Sequence, residues 1–334
     1  MLEGDFMKAV VLEKTCAPSE LDVKEVPIPE VKPEWLLVKV MGFGINRAEV
    51  ILRDCEADED YIDLPVIPGI ECVGKVIDPS NTRFKKGDKV VGLMGGMGRS
   101  FDGSYAEYVL LPSKNTFKIP NETFDKLDIE EIIAIPESYF TAYGSIESLQ
   151  IENSDTVLIR GATSALGLTA MQLIASTGAT IIATSRDESR FSKLKSNGAD
   201  CTIVDGGKIE DTVKKICPDG VSKVLELIGP KTLKDSLNCL REYGICCNTG
   251  VLGGVEYMSE FDPIKIIPNN RYLTSFFSNY PTQEIIDNLF NFILENDIHP
   301  NISNVFTDLE QISDAHELME SNEAQGKIIF RLVK

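Results

Sequence analysis

The turn GATSALG, residues 161–167, places small residues where a phosphate group could approach the backbone. It follows the apolar run TVLIRG, which predicts a strand, and leads into LGLTAMQLIASTG, which predicts a helix. Small residues permit a sharp turn with accessible N–H groups, and the N-terminus of a helix carries a positive partial charge. An ordinary tight turn is the alternative, but the strand–turn–helix–strand context favours binding of a dinucleotide pyrophosphate.

The residues of this turn are predicted to have different roles. Gly161 and Gly167 suit the sharp turn and the close packing of helix on strand, and the Ser164 hydroxyl could donate a hydrogen bond to phosphate. The residues predicted to bind the cofactor here are Gly161, Thr163, Ser164, Ala165, Leu166 and Gly167.

The end of the next strand, in TIIATSRDESR, should decide which nicotinamide dinucleotide binds. An NAD site usually places Asp or Glu there for the ribose hydroxyls, whereas an NADP site surrounds the 2′-phosphate with small polar and basic residues. Ser185 and Arg186 occupy this position, with Arg190 one helical turn further, and a guanidinium offers phosphate a planar fork of donors. The sequence favours NADPH. In one alternative, Asp187 binds the ribose hydroxyls. In the other, both arginines are solvated surface residues.

These motifs belong to the second of two predicted domains, in keeping with a chain of 334 residues. Up to about residue 130, short β-branched runs between Gly, Pro and Asp clusters predict a β-rich antiparallel barrel. From Asp155 onward strands and helices alternate, which predicts an α/β fold with a doubly wound parallel sheet. Beyond about residue 280, two helices and the final strand GKIIFRLVK could return to the barrel.

The composition excludes several kinds of partner. The formal net charge is −19, from 33 basic and 52 acidic side chains, which argues against non-specific binding to nucleic acid or anionic membranes. No apolar run reaches the ~18–20 residues of a membrane span.

Eight cysteines without a C-x-x-C pair or a secretory leader predict reduced thiols in a cytoplasmic protein. Met7 is a candidate natural start, which would make residues 1–6 an added extension.

Segments along nearly the whole chain resemble, in their order, the zinc-free quinone oxidoreductase group of the medium-chain dehydrogenase/reductase superfamily. They are MKAVVLE, GFGINRAEV, PVIPGIECVGKV, FKKGDKVVGL, DGSYAEYVLLP, AIPESYFTAYGSI, the nucleotide turn, SNGAD and GKIIF. The resemblance implies a GroES-like barrel formed by residues 1–130 and 275–334, interrupted by a Rossmann dinucleotide-binding domain at 131–274. Dimers are common in the group, so the resemblance is compatible with a homodimer.

The same resemblance implies that no metal binds. The alcohol dehydrogenase branch places a cysteine ligand where Asn46 stands and a His–Glu pair where Ile70 and Glu71 stand, and its four-cysteine lobe is missing from this chain. Without thiolate and imidazole ligands a catalytic zinc is not expected.

Two residues are predicted to assist catalysis by analogy with the group. A polar residue at the position of Asn46 lies near nicotinamide and substrate, where its amide can orient a carbonyl or a water; a satisfied turn amide is the alternative. Tyr61 precedes LPVIPG, where the group often carries a tyrosine able to donate to a substrate oxygen, and simple packing is the alternative. Glu49 is expected in an ion pair or in catalysis, and Glu71 in a structural role.

The resemblance places three more segments beside the nicotinamide, namely TAY, the loop TGVLGG and SFFS. The residues predicted to contact the cofactor there are Thr141, Gly250, Val251, Leu252, Phe276, Phe277 and Ser278. Ordinary core packing is the alternative for the two phenylalanines.

The sequence thus predicts an NADPH-dependent reductase whose partner is a small-molecule electrophile, either a quinone or an α,β-unsaturated carbonyl compound. Reduction of an enoyl thioester or a simple aldehyde is the alternative among enzymes. A non-catalytic NADPH-binding protein is the alternative outside enzymes, because fold alone does not determine substrate or activity.

Overall fold

The computed structural model describes residues 6–255 and 257–333. It divides into two compact units: one runs to Glu137 and resumes at Asn279, and the other spans Ser138–Ser278. Apart from Phe6, the extension predicted at residues 1–6 lies outside the described residues. Within the described ranges, no helix is long and apolar enough to cross a membrane.

The strands of the described chain are β1 Phe6–Val10, β2 Val23–Pro27, β3 Trp35–Ile45, β4 Glu71–Asp78, β5 Lys89–Leu93, β6 Tyr108–Pro112, β7 Thr116–Lys118, β8 Thr156–Arg160, β9 Thr180–Ser185, β10 Cys201–Val204, β11 Val221–Glu226, β12 Leu240–Asn248, β13 Tyr272–Ser275, β14 Ile302–Phe306 and β15 Lys327–Arg331. The α-helices are α1 Arg47–Asp54, α2 Thr123–Lys126, α3 Ile129–Ala134, α4 Pro136–Leu149, α5 Ala165–Thr177, α6 Phe191–Ser196, α7 Glu210–Ile216, α8 Leu233–Asn238, α9 Pro263–Ile266, α10 Gln283–Glu295 and α11 Ile312–Ser321.

The first unit is a GroES-like β-rich domain organised around β3. The order of its large sheet is β14-β15-β3-β4-β5-β7, and β6 also pairs with β3. β3 runs antiparallel to β4, β6 and β15. The late strand β15 therefore belongs to the same sheet as the early strand β3. The rings of Tyr105, Phe43 and Phe330 stack in its core, with centroids 4.8 and 4.9 Å apart.

The second unit is a Rossmann-type parallel sheet with the order β10-β9-β8-β11-β12-β13. Strands β8, β9 and β11 are almost entirely buried, as expected of strands inside a parallel sheet. The chain proceeds outward from β8 on one side and from β11 on the other, so the strand order reverses between them. Ligands of such sheets bind at the carboxyl ends of the strands near this reversal.

The predicted fold class, a GroES-like domain with a doubly wound parallel sheet, is confirmed. The segment 129–149 is helical, and Pro136 divides it by beginning α4 after α3 has ended at Ala134. A proline fits the first turn of a helix because the N–H groups there have no partner within the helix. The segment YLTSFFS supplies the sixth strand, β13, through Ser275.

The two histidines of the chain lie in the GroES-like unit, and their pKa values are shifted in opposite directions. His316 is buried on α11 with Nε2 3.2 Å from the Tyr105 hydroxyl, and burial, assisted by the charge of Arg53, lowers its pKa to about 3. His299 is exposed with Nδ1 2.6 Å from Glu131, and this hydrogen bond raises its pKa.

Acidification should destabilise the GroES-like unit through His316. The unfolded state takes up a proton below about pH 6.5 while the folded state does not, so stability is lost as the pH falls from 6.5 towards 3. His316→Leu should remove this loss. In urea unfolding at pH 7 and pH 4, the stability of wild type relative to this variant should fall by roughly 3 kcal/mol on acidification.

His299→Leu is the control with the opposite sign. The raised pKa of His299 gives a contribution that is fully present below pH 6.5 and lost as the pH rises through the folded-state value. The stability of wild type relative to His299→Leu should therefore rise on acidification. A His316→Leu variant with the acid sensitivity of wild type would contradict the assignment.

Candidate cofactor and catalytic sites

The predicted nucleotide turn has the geometry of a backbone cradle. Gly161 has a positive φ of 77°, a conformation that other residues adopt at a cost. A Cβ atom added to Gly167 would lie 2.6 Å from Ala162 Cα, so glycine allows the start of α5 to pack against the turn. Helix α5 begins at Ala165, and the N–H groups of its first turn have no acceptor within the helix. These N–H groups can donate hydrogen bonds to a bound anion.

The Ser164 hydroxyl is engaged within the turn itself. It accepts a hydrogen bond from the N–H of Gly167 at 3.0 Å and donates one to the carbonyl of Gly161 at 2.8 Å. Ser164 is therefore the N-cap of α5 and stabilises the turn. Its predicted role as a phosphate donor stays a prediction, and in this geometry the backbone N–H groups of Ala165 and Leu166 are the better-placed donors.

At the end of β9, the three residues that were predicted to select the cofactor differ sharply in environment. Ser185 is buried, and its hydroxyl exchanges hydrogen bonds with the backbone of Asp187, at 2.9 Å to the carbonyl and 3.1 Å from the N–H. Arg186 is exposed at the carboxyl edge of the sheet. Arg190 ends the short helical turn Glu188–Arg190.

Asp187, the rival residue for a ribose, caps that short turn. Its carboxylate accepts a hydrogen bond from the N–H of Ser189 at 2.9 Å. The hydrogen bonds from Ser189, followed by the charge of Arg190, lower the pKa of Asp187. The carboxylate thus already has a structural role, whereas the side chain of Arg186 is exposed.

The last residue of β8, Arg160, is a buried cation that the sequence interpretation missed. Its side chain has no exposed surface. Nε and Nη2 bind both oxygens of Asp205 at 2.9 and 2.7 Å, and Nη1 lies 2.8 Å from Asp235. The burial of Arg160 opposes its charge, but the bonds to Asp205 outweigh this effect and raise its pKa. No local spacing signals these partners, because they lie 45 and 75 residues further along the chain.

A second buried charge, Glu226, ends β11. Its Oε1 accepts hydrogen bonds from the N–H groups of Ile228 and Gly229 at 2.7 and 2.9 Å, and its Oε2 accepts from the hydroxyls of Thr232 and Ser236 at 3.0 and 2.5 Å. Four donors satisfy this carboxylate and hold the loop after β11 in one conformation.

The loop after β12 lies against the loop after β11, beside the nucleotide turn. The N–H of Leu252 donates to the carbonyl of Leu227 at 3.0 Å, and Gly250 has no room for a side chain because the carbonyl of Leu227 fills that space. A Cβ atom on Gly161 would lie 3.2 Å from Leu252 Cδ1. The structure thus brings together two of the predicted cofactor segments, and Val251 and Leu252 remain 39% and 45% exposed as an apolar surface.

The other predicted nicotinamide residues are more varied. Thr141 is buried on α4, and its carbonyl accepts a hydrogen bond from Ser145 at 2.7 Å. The ring of Phe276 packs edge-on against Phe140 at 5.6 Å, which matches the core-packing alternative. Phe277 is 70% exposed and Ser278 is partly buried. These two stay predictions as cofactor contacts.

In the GroES-like unit, Asn46 lies at the start of α1 in a network of buried charges. Its Oδ1 accepts a hydrogen bond from Lys327 Nζ at 2.5 Å, and its Nδ2 donates to Glu71 Oε1 at 2.9 Å. The second contact of Nδ2, to Glu49 Oε1, is long at 3.5 Å. One N–H of the amide is therefore only weakly held and can be offered to another acceptor.

Lys327, at the start of β15, is the residue of this network that sequence reasoning missed. Its ammonium lies 2.6 Å from Glu71 Oε1, and both side chains are at most 4% exposed. The other oxygen of Glu71 accepts the N–H of Glu137 at 2.7 Å. Glycine at position 44 is required because a Cβ atom there would collide with Lys327 and Glu71. The structural role expected for Glu71 is evident in these contacts.

Glu49 supports the backbone around this network. It accepts hydrogen bonds from the N–H of Asn46 at 2.8 Å and from the N–H of Ile70 at 3.0 Å. Complete burial raises its pKa to about 7, with the nearby Glu71 charge acting in the same direction. Glu49 therefore positions Asn46 rather than forming a simple ion pair.

Tyr61, the second predicted catalytic residue, lies on the surface. Its side chain is 65% exposed, and its hydroxyl donates to Glu56 Oε1 at 3.2 Å. Glu56 also binds Arg99 at 2.8 and 2.6 Å. Partial burial and the charge of Glu56 raise the pKa of the phenol, which keeps it a donor. Its catalytic role stays a prediction.

The donors around Asn46 do not suit zinc. They are an amide and two carboxylates, and an ammonium group already occupies the space between Asn46 and Glu71. Zinc sites in proteins contain thiolate or imidazole ligands, neither of which is among these donors, and a neighbouring ammonium would repel the ion. Across residues 6–255 and 257–333, no group of three or more His, Cys, Asp or Glu side chains is arranged to hold a metal.

Comparison with known proteins agrees with this architecture. A family model described as alcohol dehydrogenase GroES-like domain matches residues 32–121, and one described as zinc-binding dehydrogenase matches residues 165–295. The quinone oxidoreductase of Lama guanicoe is 27% identical over 337 residues, which cover 98% of each chain.

Solved structures share the fold over almost the full length. A 2-haloacrylate reductase superposes with a TM-score of 0.84 at 22% identity and covers 97% of this chain and 99% of its own. A mycobacterial protein solved in complex with NADPH gives a TM-score of 0.82, with the same identity and coverage. The chain is an oxidoreductase that belongs to the medium-chain dehydrogenase/reductase superfamily and is quinone oxidoreductase-like.

Proposed function

We propose that this oxidoreductase uses NADPH to reduce quinones or α,β-unsaturated carbonyl compounds by hydride transfer, without zinc. The observation that carries the proposal is the end of β9. There Arg186 is exposed beside the buried Ser185, while the neighbouring acid, Asp187, caps the following turn. NADPH, when bound, supplies the hydride, and the chain supplies binding, orientation and hydrogen-bond donors.

The Rossmann unit supplies the groups for the two charged parts of the cofactor. The Gly161–Gly167 turn and the first N–H groups of α5 suit the pyrophosphate, with Ser164 holding the turn in shape. Arg186, aided by Ser185 and Arg190, suits the 2′-phosphate because guanidinium groups bind phosphate through several parallel hydrogen bonds. Leu252 and Val251 offer an apolar surface to a ring.

Asn46 would stabilise the oxygen on which negative charge develops as the substrate accepts hydride. Its weakly held N–H is the donor, and the contact of Lys327 with Oδ1 withdraws electron density and strengthens that donor. Tyr61 is a second candidate donor, and water would deliver the proton that completes the reduction. The ammonium of Lys327 does not meet the substrate in this scheme; it orients the amide.

The absence of a zinc ion in the proposed mechanism restricts the substrate class. Simple aldehydes need stronger polarisation of the carbonyl, whereas quinones and activated alkenes accept hydride with hydrogen-bond assistance alone. The names of two relatives, quinone oxidoreductase and 2-haloacrylate reductase, refer to a quinone and to an activated alkene. An enoyl thioester on a phosphorylated carrier would need a basic surface, and the chain has a net charge of −19. None of the eight cysteines, all of which lie in the described residues, forms a disulfide bond, and the location we propose is a reducing compartment such as the cytoplasm.

The cofactor assignment predicts an effect for Arg186 that its neighbour Asp187 does not share. Arg186→Ala should weaken NADPH binding by about tenfold to 150-fold, which corresponds to the loss of one charge-assisted hydrogen bond of about 1.5–3 kcal/mol. It should leave NADH binding nearly unchanged, because NADH has no phosphate at that position. Asp187→Ala should affect NADH selectively only if Asp187 binds the ribose.

Titration of NADPH and NADH into wild type and both variants measures these effects. If wild type binds the two cofactors equally and Arg186→Ala changes neither affinity, the arginines are surface residues and the phosphate assignment is wrong.

The catalytic assignment predicts turnover that depends on Asn46. Wild type should oxidise NADPH with 9,10-phenanthrenequinone or with an alkenal, and Asn46→Ala should lower kcat/KM by roughly one to two decades, the order of one orienting hydrogen bond. Thr116→Val, which removes one buried hydrogen bond to the carbonyl of Pro112 elsewhere in the same unit, should cost stability and spare kcat/KM. A protein that binds NADPH but reduces neither substrate would favour the non-catalytic alternative, and an Asn46→Ala variant with wild-type kinetics would leave Asn46 a turn amide only.

A further inference from the structure

The buried carboxylate of Asp205 joins the ends of three neighbouring strands in the Rossmann unit. It follows β10, and both of its oxygens bind Arg160 at the end of β8. Its backbone N–H donates to the carbonyl of Ser185, at the end of β9, at 2.8 Å. Oδ1 also accepts the N–H of Gly207 at 2.9 Å, which fixes the loop after β10.

A hydroxyl extends this set of contacts to the nucleotide turn. The side chain of Thr184, the residue before Ser185, interacts with Asp205 and lowers the pKa of that carboxylate. The same Thr184 Oγ1 accepts the N–H of Gly161 at 3.3 Å. Asp205 therefore reaches Ser185 through its backbone and Gly161 through one intervening side chain, and both Thr184 and Asp205 are more than nine-tenths buried.

Arg160 neutralises Asp205 and is itself fully occupied. Besides Asp205, its guanidinium binds Asp235 at 2.8 Å and the Ser236 hydroxyl at 3.1 Å, and it has no exposed surface. Arg160 is thus unavailable as a phosphate ligand. Its partnership with Asp205 prevents an unpaired carboxylate from standing directly behind Ser185, where it would repel a phosphate.

We propose that Asp205, held by Arg160, is a positioning residue for cofactor selection, which fixes the end of β9 relative to the turn at Gly161. One dinucleotide has to reach both places, because the adenosine ribose that carries the 2′-phosphate is joined through its 5′-oxygen to the pyrophosphate. A shift of either segment misaligns Arg186 with the 2′-phosphate while the pyrophosphate stays bound. This inference rests on the proposed binding of NADPH.

Asp205→Asn is the direct test. An amide has one acceptor oxygen where the carboxylate has two, so the donors of Arg160, Gly207 and Thr184 can no longer all be satisfied. We expect the Kd for NADPH to rise by about tenfold and the Kd for NADH by less than about threefold, so that the preference for NADPH falls. Isothermal titration of both cofactors into the full-length protein measures the ratio.

Asp155→Asn is the matched control. Asp155 is also a buried acid of the same unit, but it precedes β8, at the opposite end of that strand from Arg160, and its charged partners Lys223 and Arg241 lie 3.8 and 3.9 Å away. It should lower the melting temperature and leave the ratio of the two Kd values unchanged. A merely structural role of Asp205 would give the same result as this control.

Thr184→Val provides a second, milder variant with nearly unchanged side-chain volume. It cuts the link from Asp205 to Gly161 and keeps the bond from Asp205 to Ser185. NADPH should bind about threefold more weakly and NADH should be affected less, because the turn shifts relative to Arg186 while the pyrophosphate stays bound. If Asp205→Asn does not fold, this variant decides: an unchanged ratio of the two Kd values would overturn the inference.

Two negative outcomes remain distinguishable. Equal affinity of wild type for NADPH and NADH would overturn the proposed cofactor, and the inference with it. A wild type that prefers NADPH, together with an Asp205→Asn variant that keeps the full preference, would overturn the inference alone.

Discussion

A buried ammonium group holds together the part of the GroES-like unit in which Asn46 lies. Lys327 contacts Asn46 and Glu71, residues that stand 281 and 256 positions earlier in the chain, at the starts of α1 and β4. Burying a charge in this way is costly unless each partner is satisfied. Here the ammonium has an amide oxygen and a carboxylate, and Glu71 also accepts the N–H of Glu137. The orientation of Asn46 depends on this arrangement, because both ends of its amide are engaged.

The Rossmann unit uses buried charge in a similar way. Arg160, Asp205, Asp235 and Glu226 lie at or near the carboxyl ends of the parallel strands, and each has hydrogen-bond partners that compensate for its burial. Interior apolar packing alone would leave the connecting loops free to shift. The polar network gives each loop a defined position, which a site for a large, negatively charged dinucleotide requires.

Local patterns were sufficient to predict the parallel sheet and the nucleotide turn, whereas Asn46, Tyr61 and the segments beside the nicotinamide were predicted from the resemblance to a family. The alternation of strands and helices gave the parallel sheet, and the small residues around Gly161 gave the nucleotide turn, because both depend on periodicity and on backbone freedom. The turn chemistry around Ser164 and Asp187 was harder to assign. Each has a short polar side chain that can serve either a ligand or its own backbone, and in the structure both serve the backbone.

The charged partners could not have been predicted from the sequence. Lys327 stands in GKIIF, which looks like an ordinary final strand, and Arg160 looks like the polar end of one. Their partners lie far along the chain, so only the tertiary fold brings them together. Tyr61 differs from these two residues, because its motif suggested a role near the substrate. In the structure its hydroxyl binds Glu56, a residue of the surrounding acidic segment, at the surface.

Isotope labelling can show whether hydride passes from NADPH to an electrophilic carbon without a metal. NADPH carrying deuterium at both C4 positions is incubated with an alkenal and protein whose zinc content has been measured as negligible. We expect one deuterium on the β-carbon of the saturated product for each NADPH consumed, because a carbon-bound label does not exchange with water. Consumption of NADPH without deuterium in the product, or turnover that appears only when zinc is restored, would contradict it.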